Sequence, residues 1–150
     1  MLIRTERLDL VAATLTHIQA ELESATALGR LLEAEVPSSW PPGEYDRSAL
    51  EFFCARLSED PHDAGWYGWY AIRRSVEGLE RVLIGAGGYL GPPGADGIVE
   101  IGYSIAPEFQ ARGYATELVR ALVARAFTDG AVTRVIANTT RAHFIAINAV

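Results

Sequence analysis

The run Gln110-Ala-Arg-Gly-Tyr-Ala115 holds the residue types best suited to chemistry on an anion. It lies between an alternating apolar run that ends at Ile105 and an amphipathic run that begins at Ala115, so it reads as a loop feeding a helix N-terminus. Such a place exposes backbone N–H groups that lack partners, with the positive end of the helix macrodipole behind them. Gly113 admits a positive φ or a close ligand approach, Ala115 keeps the first helical turn slim, and Arg112 offers a guanidinium to a phosphate. A phosphate-bearing ligand suits that set. The same residues suit equally well a plain turn in which Gly113 only reverses the chain and Arg112 is solvated.

The rest of the composition narrows the chemistry. The chain has 150 residues, and all 13 of its Lys-plus-Arg positions are arginine. Without lysine there is no G-x-x-x-x-G-K-[ST] phosphate loop and no Schiff-base catalysis. Gly85-Ala-Gly-Gly88 is not a dinucleotide fingerprint either, since Leu90 stands where the last glycine is needed and a strand follows. These glycines instead predict a bulge or close backbone packing. Cys54 is alone, which excludes an internal disulfide and points to a reducing, cytoplasmic compartment. His17, His62 and His143 lack metal-ligand spacing, so no metal is expected. The charged opening Met1-Leu-Ile-Arg-Thr-Glu-Arg is no signal peptide, and no uninterrupted apolar window is long enough for a membrane span. A net charge of −6 with a pI near 5.0 argues against nucleic acid and is compatible with a cationic substrate.

An apolar content of 49% in a chain of this length can bury one core, hence one domain. The elements that must position the loop follow from periodicity. Leu8 to Val11 reads as a strand, and Thr14 caps a helix from Leu15 to Leu28 that Gly29 breaks. A second helix runs from Asp46 to Ser58, with Leu50, Phe53, Cys54 and Leu57 on one stripe, so Cys54 is core packing. Trp66 to Ile72, Val82 to Leu90 and Ile98 to Ile105 make an antiparallel meander. Trp40, Trp66, Tyr67, Trp69 and Tyr70 read as core rather than as lining of an acceptor pocket. The helix from Ala115 to Phe127 stops at Gly130, and Val132 to Asn138 forms a strand parallel to Ile98 to Ile105. The class is α/β with a mixed sheet.

On these residues the chain resembles the GNAT-type N-acetyltransferases. Gln110, Gly113 and Ala115 fill the family's [QR]-x-x-G-x-[GA] pattern. Thr5-Glu-Arg-Leu8, Glu100-Ile-Gly-Tyr-Ser-Ile-Ala-Pro107 and Gly113-Tyr-Ala-Thr-Glu117 resemble its ribosomal-protein alanine acetyltransferase-like branch. The resemblance implies a mostly antiparallel twisted sheet with flanking helices and a V-shaped parting between two parallel strands. It also implies acetyl-CoA as cosubstrate, its pyrophosphate on Gln110, Ala111, Arg112, Gly113, Tyr114, Ala115 and Thr116. The pantetheine would lie along backbone at Tyr103, Ser104 and Ile105. The acetyl group would pass directly to a primary amine of a peptide N-terminus or a small molecule. The alternative is a catalytically silent acyl-CoA-binding or interaction module. On a strand Glu100 shares a face with Gly102 and Ser104 in line with the implied cleft, so it is the expected general base.

The end of the chain departs from the family. His143-Phe-Ile-Ala-Ile-Asn-Ala-Val150 resembles the start of the family's Asn-x-x-Ser helix, with His143 for the asparagine and Ala146 for the serine, and the usual acid tyrosine has no counterpart. The expectation is a domain without the family's C-terminal strands, leaving Val132 to Asn138 as a bare edge. A longer chain or a homodimer partner would cover it.

Overall fold

A computed structural model describes residues 1–42, 46–138 and 144–148. Among these residues seven strands make one sheet in chain order: β1 Leu2–Arg4, β2 Leu8–Ala12, β3 Gly68–Arg73, β4 Val82–Tyr89, β5 Ile98–Ile105, β6 Arg134–Asn138 and β7 Phe144–Asn148. Neighbours are antiparallel except β5 and β6, which run parallel. The expected meander and parallel return are therefore present. β1 was not expected from periodicity. It is three residues long and exists through its pairing with β2.

Helices cover both faces. On one side α1 (Leu15–Glu23), α2 (Ala25–Leu32) and α3 (Arg47–Glu59) bury Ile18, Leu28, Leu50, Phe53 and Leu57 against Tyr70, Ile72, Leu83 and Ala86. On the other, α4 (Tyr114–Phe127) buries Leu118, Leu122 and Ala126 against Leu8, Leu10, Trp69, Ile84 and Ile101. Period-two alternation sends Trp69 to one core and Tyr70 to the other, and both are fully buried. Cys54 is half-buried against the α1–α3 core, as its stripe predicts. Among the described residues no helix is long and apolar enough to cross a membrane.

Two sequence expectations are corrected. The first helix does not run unbroken to Gly29. Ser24 ends α1 and caps α2, its hydroxyl accepting from the Ala27 N–H at 3.0 Å. Gly29 instead lies inside α2, where a Cβ would come 2.9 Å from the Ala34 carbonyl as the chain turns back. The second correction concerns the end of the chain. Phe144–Asn148 is not the start of a helix but strand β7, antiparallel to β6 from Arg134↔Asn148 to Asn138↔Phe144. Ile145 and Ile147 are β-branched and alternate with other residue types, which favours a ladder over a helix. The edge of β6 is thus covered, and the motive for a partner chain at that edge falls away. His143 lies outside the described residues.

The β4 glycines serve the sheet, as expected. The β3–β4 register slips at Ile84, and a Cβ on Gly88, which has φ 149°, would lie 1.9 Å from the Tyr67 carbonyl oxygen.

One buried acid ties the sheet to its outer segments. Asp9 on β2 is 4% exposed and receives Arg4 Nε at 3.2 Å, Arg74 Nη1 at 3.3 Å and Arg81 Nη1 at 2.5 Å. Burial pushes its pKa up, but hydrogen bonds from Arg81 and Arg74 outweigh burial and hold it below the ordinary 3.8. A depressed acid stabilises the fold above its unfolded pKa and loses that contribution as pH falls through the folded value. Asp9→Ala should cost about 2–3 kcal/mol at pH 7, below the ~3–5 kcal/mol of a fully buried pair because the arginines reach solvent. Urea melts should show the gap between parent and variant closing below about pH 3.5; a constant gap down to pH 2 would contradict the assignment.

Candidate functional site

The two ladders of β5 overlap only at Ile101, its first half pairing with β6 and its second half with β4. Its ladder with β6 runs from Ile98↔Arg134 to Ile101↔Ala137, whereas its ladder with β4 continues to Gly85↔Ile105. From Gly102 onward the flank toward β6 has no partner strand among the described residues, which is the parting of two parallel strands that the resemblance implies. The Leu90 N–H donates to the Glu100 carbonyl at 3.1 Å, so the Glu100 backbone faces β4. Alternation then turns Gly102 and Ser104 the same way and aims the backbone groups of Tyr103 and the N–H of Ile105 at the open flank. The Ile105 carbonyl is taken, accepting from Gln110 Nε2 at 2.9 Å.

A cleft of about 700 Å³ follows this half-strand and ends at the loop before α4. Ala86 and Gly88 of β4 with Gly102 and Ser104 of β5 contribute only small side chains to it, and Ala49 and Phe53 of α3 form part of its wall. A Cβ at Gly102 would meet nothing within 4 Å, so that position opens on empty space. Leu90 and Tyr103 are 54% and 47% exposed and also line the cleft.

At the loop the chain takes two left-handed residues, Ala111 at φ 61° and Gly113 at φ 84°. The first costs a non-glycine residue roughly 1 kcal/mol, a strain of the kind found at ligand clamps. Gly113 caps α4 without any side-chain hydrogen bond. Among the described residues the backbone N–H groups of positions 111 to 116 donate to no protein acceptor. These unpaired donors lie in the loop and at the N-terminus of α4, five of the six on residues that line the cleft, and together they form an anion cradle.

The structure brings most of the sequence-predicted site together. Glu100, Tyr103, Ser104, Ile105, Gln110, Ala111, Gly113, Tyr114, Ala115 and Thr116 all line the cleft. Their contributions differ. Ser104 presents its side chain, its backbone being turned toward Ala86, and Tyr114 is mostly buried. Gln110 acts as a brace between the loop and the end of β5. Glu100 is half-buried, and among the described residues its carboxylate enters no ion pair. Arg112 does not line the cleft. Its guanidinium stands 6.0 Å from the Phe109 ring centroid, and its carbonyl accepts from Arg7 Nη1 at 2.9 Å.

Sequence reasoning missed the support beneath the loop. Glu117, in the first turn of α4, accepts from the Thr5 hydroxyl, from the Arg7 N–H at 2.8 Å and from Arg7 Nε at 2.7 Å. Burial raises its pKa, yet the bonds from Thr5 and Arg7 prevail and hold it below the usual carboxylate range. The Arg7 guanidinium also stacks 4.1 Å from the Tyr114 ring centroid. Gly102 as an open floor and Phe53 as a wall also escaped notice, because neither shows until β5 and α3 are packed. No group of three or more His, Cys, Asp or Glu side chains among the described residues is placed to hold a metal.

Comparison with known proteins agrees with this geometry. The chain is 23% identical over 137 residues to the uncharacterized N-acetyltransferase YjdG of Bacillus subtilis (strain 168), covering 91% of this chain and 79% of that one. Among solved structures it resembles the Salmonella typhimurium acetyl transferase that modifies the N-terminal serine of a 50S ribosomal subunit protein. That match has a TM-score of 0.56 and 16% identity, over 91% of this chain and 74% of that one. It also resembles a chimera of the Vibrio cholerae spermidine N-acetyltransferase, with a TM-score of 0.53 and 17% identity over 88% and 70% of the two chains. Because the family model for the acetyltransferase (GNAT) domain matches residues 7–149, nearly the whole length, the chain belongs to the GNAT acetyltransferase family.

Proposed function

We propose that the cleft binds acetyl-CoA and that the enzyme moves the acetyl group directly to a primary amine, a peptide N-terminus or a small molecule. The observation that carries this reading is the continuity of unpaired backbone groups along one cleft, from Tyr103 and Ile105 to the cradle at positions 111 to 116. A pyrophosphate needs several donors and no bulky side chain, and Gly113 with Ala115 supply that setting. A pantetheine arm carries two amides, which suit the exposed edge of β5 in the manner of an added strand. The floor of small residues leaves room for the arm to lie close to the backbone.

The chemistry asked of the protein is modest. The ammonium must lose one proton to a base, its nitrogen lone pair then attacks the thioester carbonyl carbon, and as the carbon–sulfur bond breaks the nitrogen's second proton passes, directly or through water, to the leaving sulfur to release the thiol. Glu100 lies in the cleft with a carboxylate that no cation among the described residues claims, so it can attract an ammonium acceptor and take its proton, directly or through water. A backbone N–H on the open flank of β5 can stabilise negative charge developing on the carbonyl oxygen. The relatives named for a ribosomal N-terminal serine and for spermidine both act on amines, which is consistent with this acceptor class.

Thiol release from acetyl-CoA, measured against a panel of peptide N-termini, polyamines, aminoglycosides and amino acids, tests the reading; no release with any amine would count against it. Glu100→Gln keeps shape and reach but loses basicity. Its turnover should drop about a hundredfold or more with acetyl-CoA affinity nearly unchanged, and a drop under about threefold at every pH would remove Glu100 from the role. Gly102→Val places a branched side chain in the open floor of the cleft, and valine suits a strand. Thermal melts should stay within a few degrees of the parent while calorimetry shows acetyl-CoA binding weakened at least about tenfold. Unaltered affinity would put the arm elsewhere.

A further inference from the structure

Arg7 and Glu117 are separated by 110 positions in the chain and meet directly under the loop. Three contacts of one guanidinium converge there. Nε goes to Glu117 Oε1 at 2.7 Å, Nη1 goes to the Arg112 carbonyl at 2.9 Å, and the guanidinium plane lies on the Tyr114 ring, centroid 4.1 Å away. A Cβ at Gly113 would come 3.2 Å from Nη2, so the arginine also lies hard against the glycine. Glu117 is in turn fixed by the Thr5 hydroxyl and the Arg7 backbone N–H.

The contact with the Arg112 carbonyl carries the consequence. In a trans peptide the C=O and the following N–H point to opposite sides. Drawing the Arg112 carbonyl down onto Arg7 therefore aims the Gly113 N–H away from Arg7. Gly113 at φ 84° has a peptide plane that glycine could otherwise reorient at little cost, so an outside restraint is needed to hold one orientation. We infer that Arg7, locked by Glu117, is a positioning residue that fixes the Arg112–Gly113 peptide with its N–H presented to the ligand's phosphates. This deepens the acetyl-CoA reading and rests on it.

Charge alone makes the opposite forecast, which gives the test its edge. Removing the negative charge of Glu117 should tighten binding of an anion if only the field matters, and exchanging Arg7 for lysine should then change nothing. If positioning matters, both changes weaken binding, because Glu117→Gln frees the arginine and the ammonium of Arg7→Lys cannot reproduce the fork.

Calorimetric titration of the parent, Arg7→Lys and Glu117→Gln should use two probes: coenzyme A, and pantetheine, which lacks the phosphates. The expected result is a loss of about tenfold in coenzyme A affinity for each variant, the equivalent of one well-aimed hydrogen bond to a charged group. Pantetheine affinity should stay within about twofold. The inference is overturned if Arg7→Lys binds coenzyme A like the parent, if Glu117→Gln binds it more tightly, or if both probes weaken equally, which marks a general loosening of the fold. A variant unfolded at the assay temperature by thermal melt is replaced by Thr5→Val, which removes one Glu117 contact and should shift the same ratio in the same direction; an unchanged ratio there also overturns it. A parent that binds coenzyme A no better than pantetheine defeats the phosphate reading of the loop itself.

Discussion

The parallel pairing of β5 with β6 is the constraint on which the site depends. Two parallel neighbours cannot be joined by a turn; the chain must cross back over a sheet face, and here α4 makes that crossing. The N-terminus of α4 is therefore placed where β5 ends. The unpaired donors of a helix start and those of a strand that has lost its partner fall into one cleft. A sheet that was antiparallel throughout would have neither the crossover nor the parting. The β5–β6 ladder stops at Ile101↔Ala137 while β5 continues to Ile105, and the parting lies along that remainder of β5.

Charge then holds the outer parts to this frame. Asp9 gathers three arginines around the β1–β2 corner, and Glu117 binds the connection between those strands to the first turn of α4. Guanidinium chemistry runs through both. Arg74 reaches Asp9 and the carbonyls of Thr5, Glu6 and Leu8 at once, and Arg7 reaches Glu117 and the Arg112 carbonyl, multiple contacts that suit a planar fork better than an ammonium. A chain whose 13 basic positions are all arginine is well matched to such use. These charges act on the site from below, which leaves the cradle itself to backbone groups.

How far the sequence could be read follows the range of the interactions. β5 was legible to the residue because its alternation and Pro107 are local signals, and α4 was legible because seven apolar positions repeat at helical spacing. The loop was found through glycine and the helix start, again local. What escaped was set by distant contacts. β1 is too short to show a period, and Ser24 rather than Gly29 divides the first helices because Gly29 is wanted for its close approach to Ala34. For Phe144–Asn148 the resemblance implies a helix, although Ile145 and Ile147 favour the strand that forms. Thr5-Glu-Arg-Leu8 and Glu117 both stand in family-like runs, but nothing local in the sequence says that one binds the other.

The most direct measurement is a backbone amide NMR titration with coenzyme A. If the unpaired donors receive the ligand, the amide resonances of residues 111 to 116, Tyr103 and Ile105 move first and furthest, with Gly113 among the largest. Saturable binding whose shifts avoid the loop and the end of β5 would contradict the placement of the cosubstrate, and with it the functional reading of the cleft.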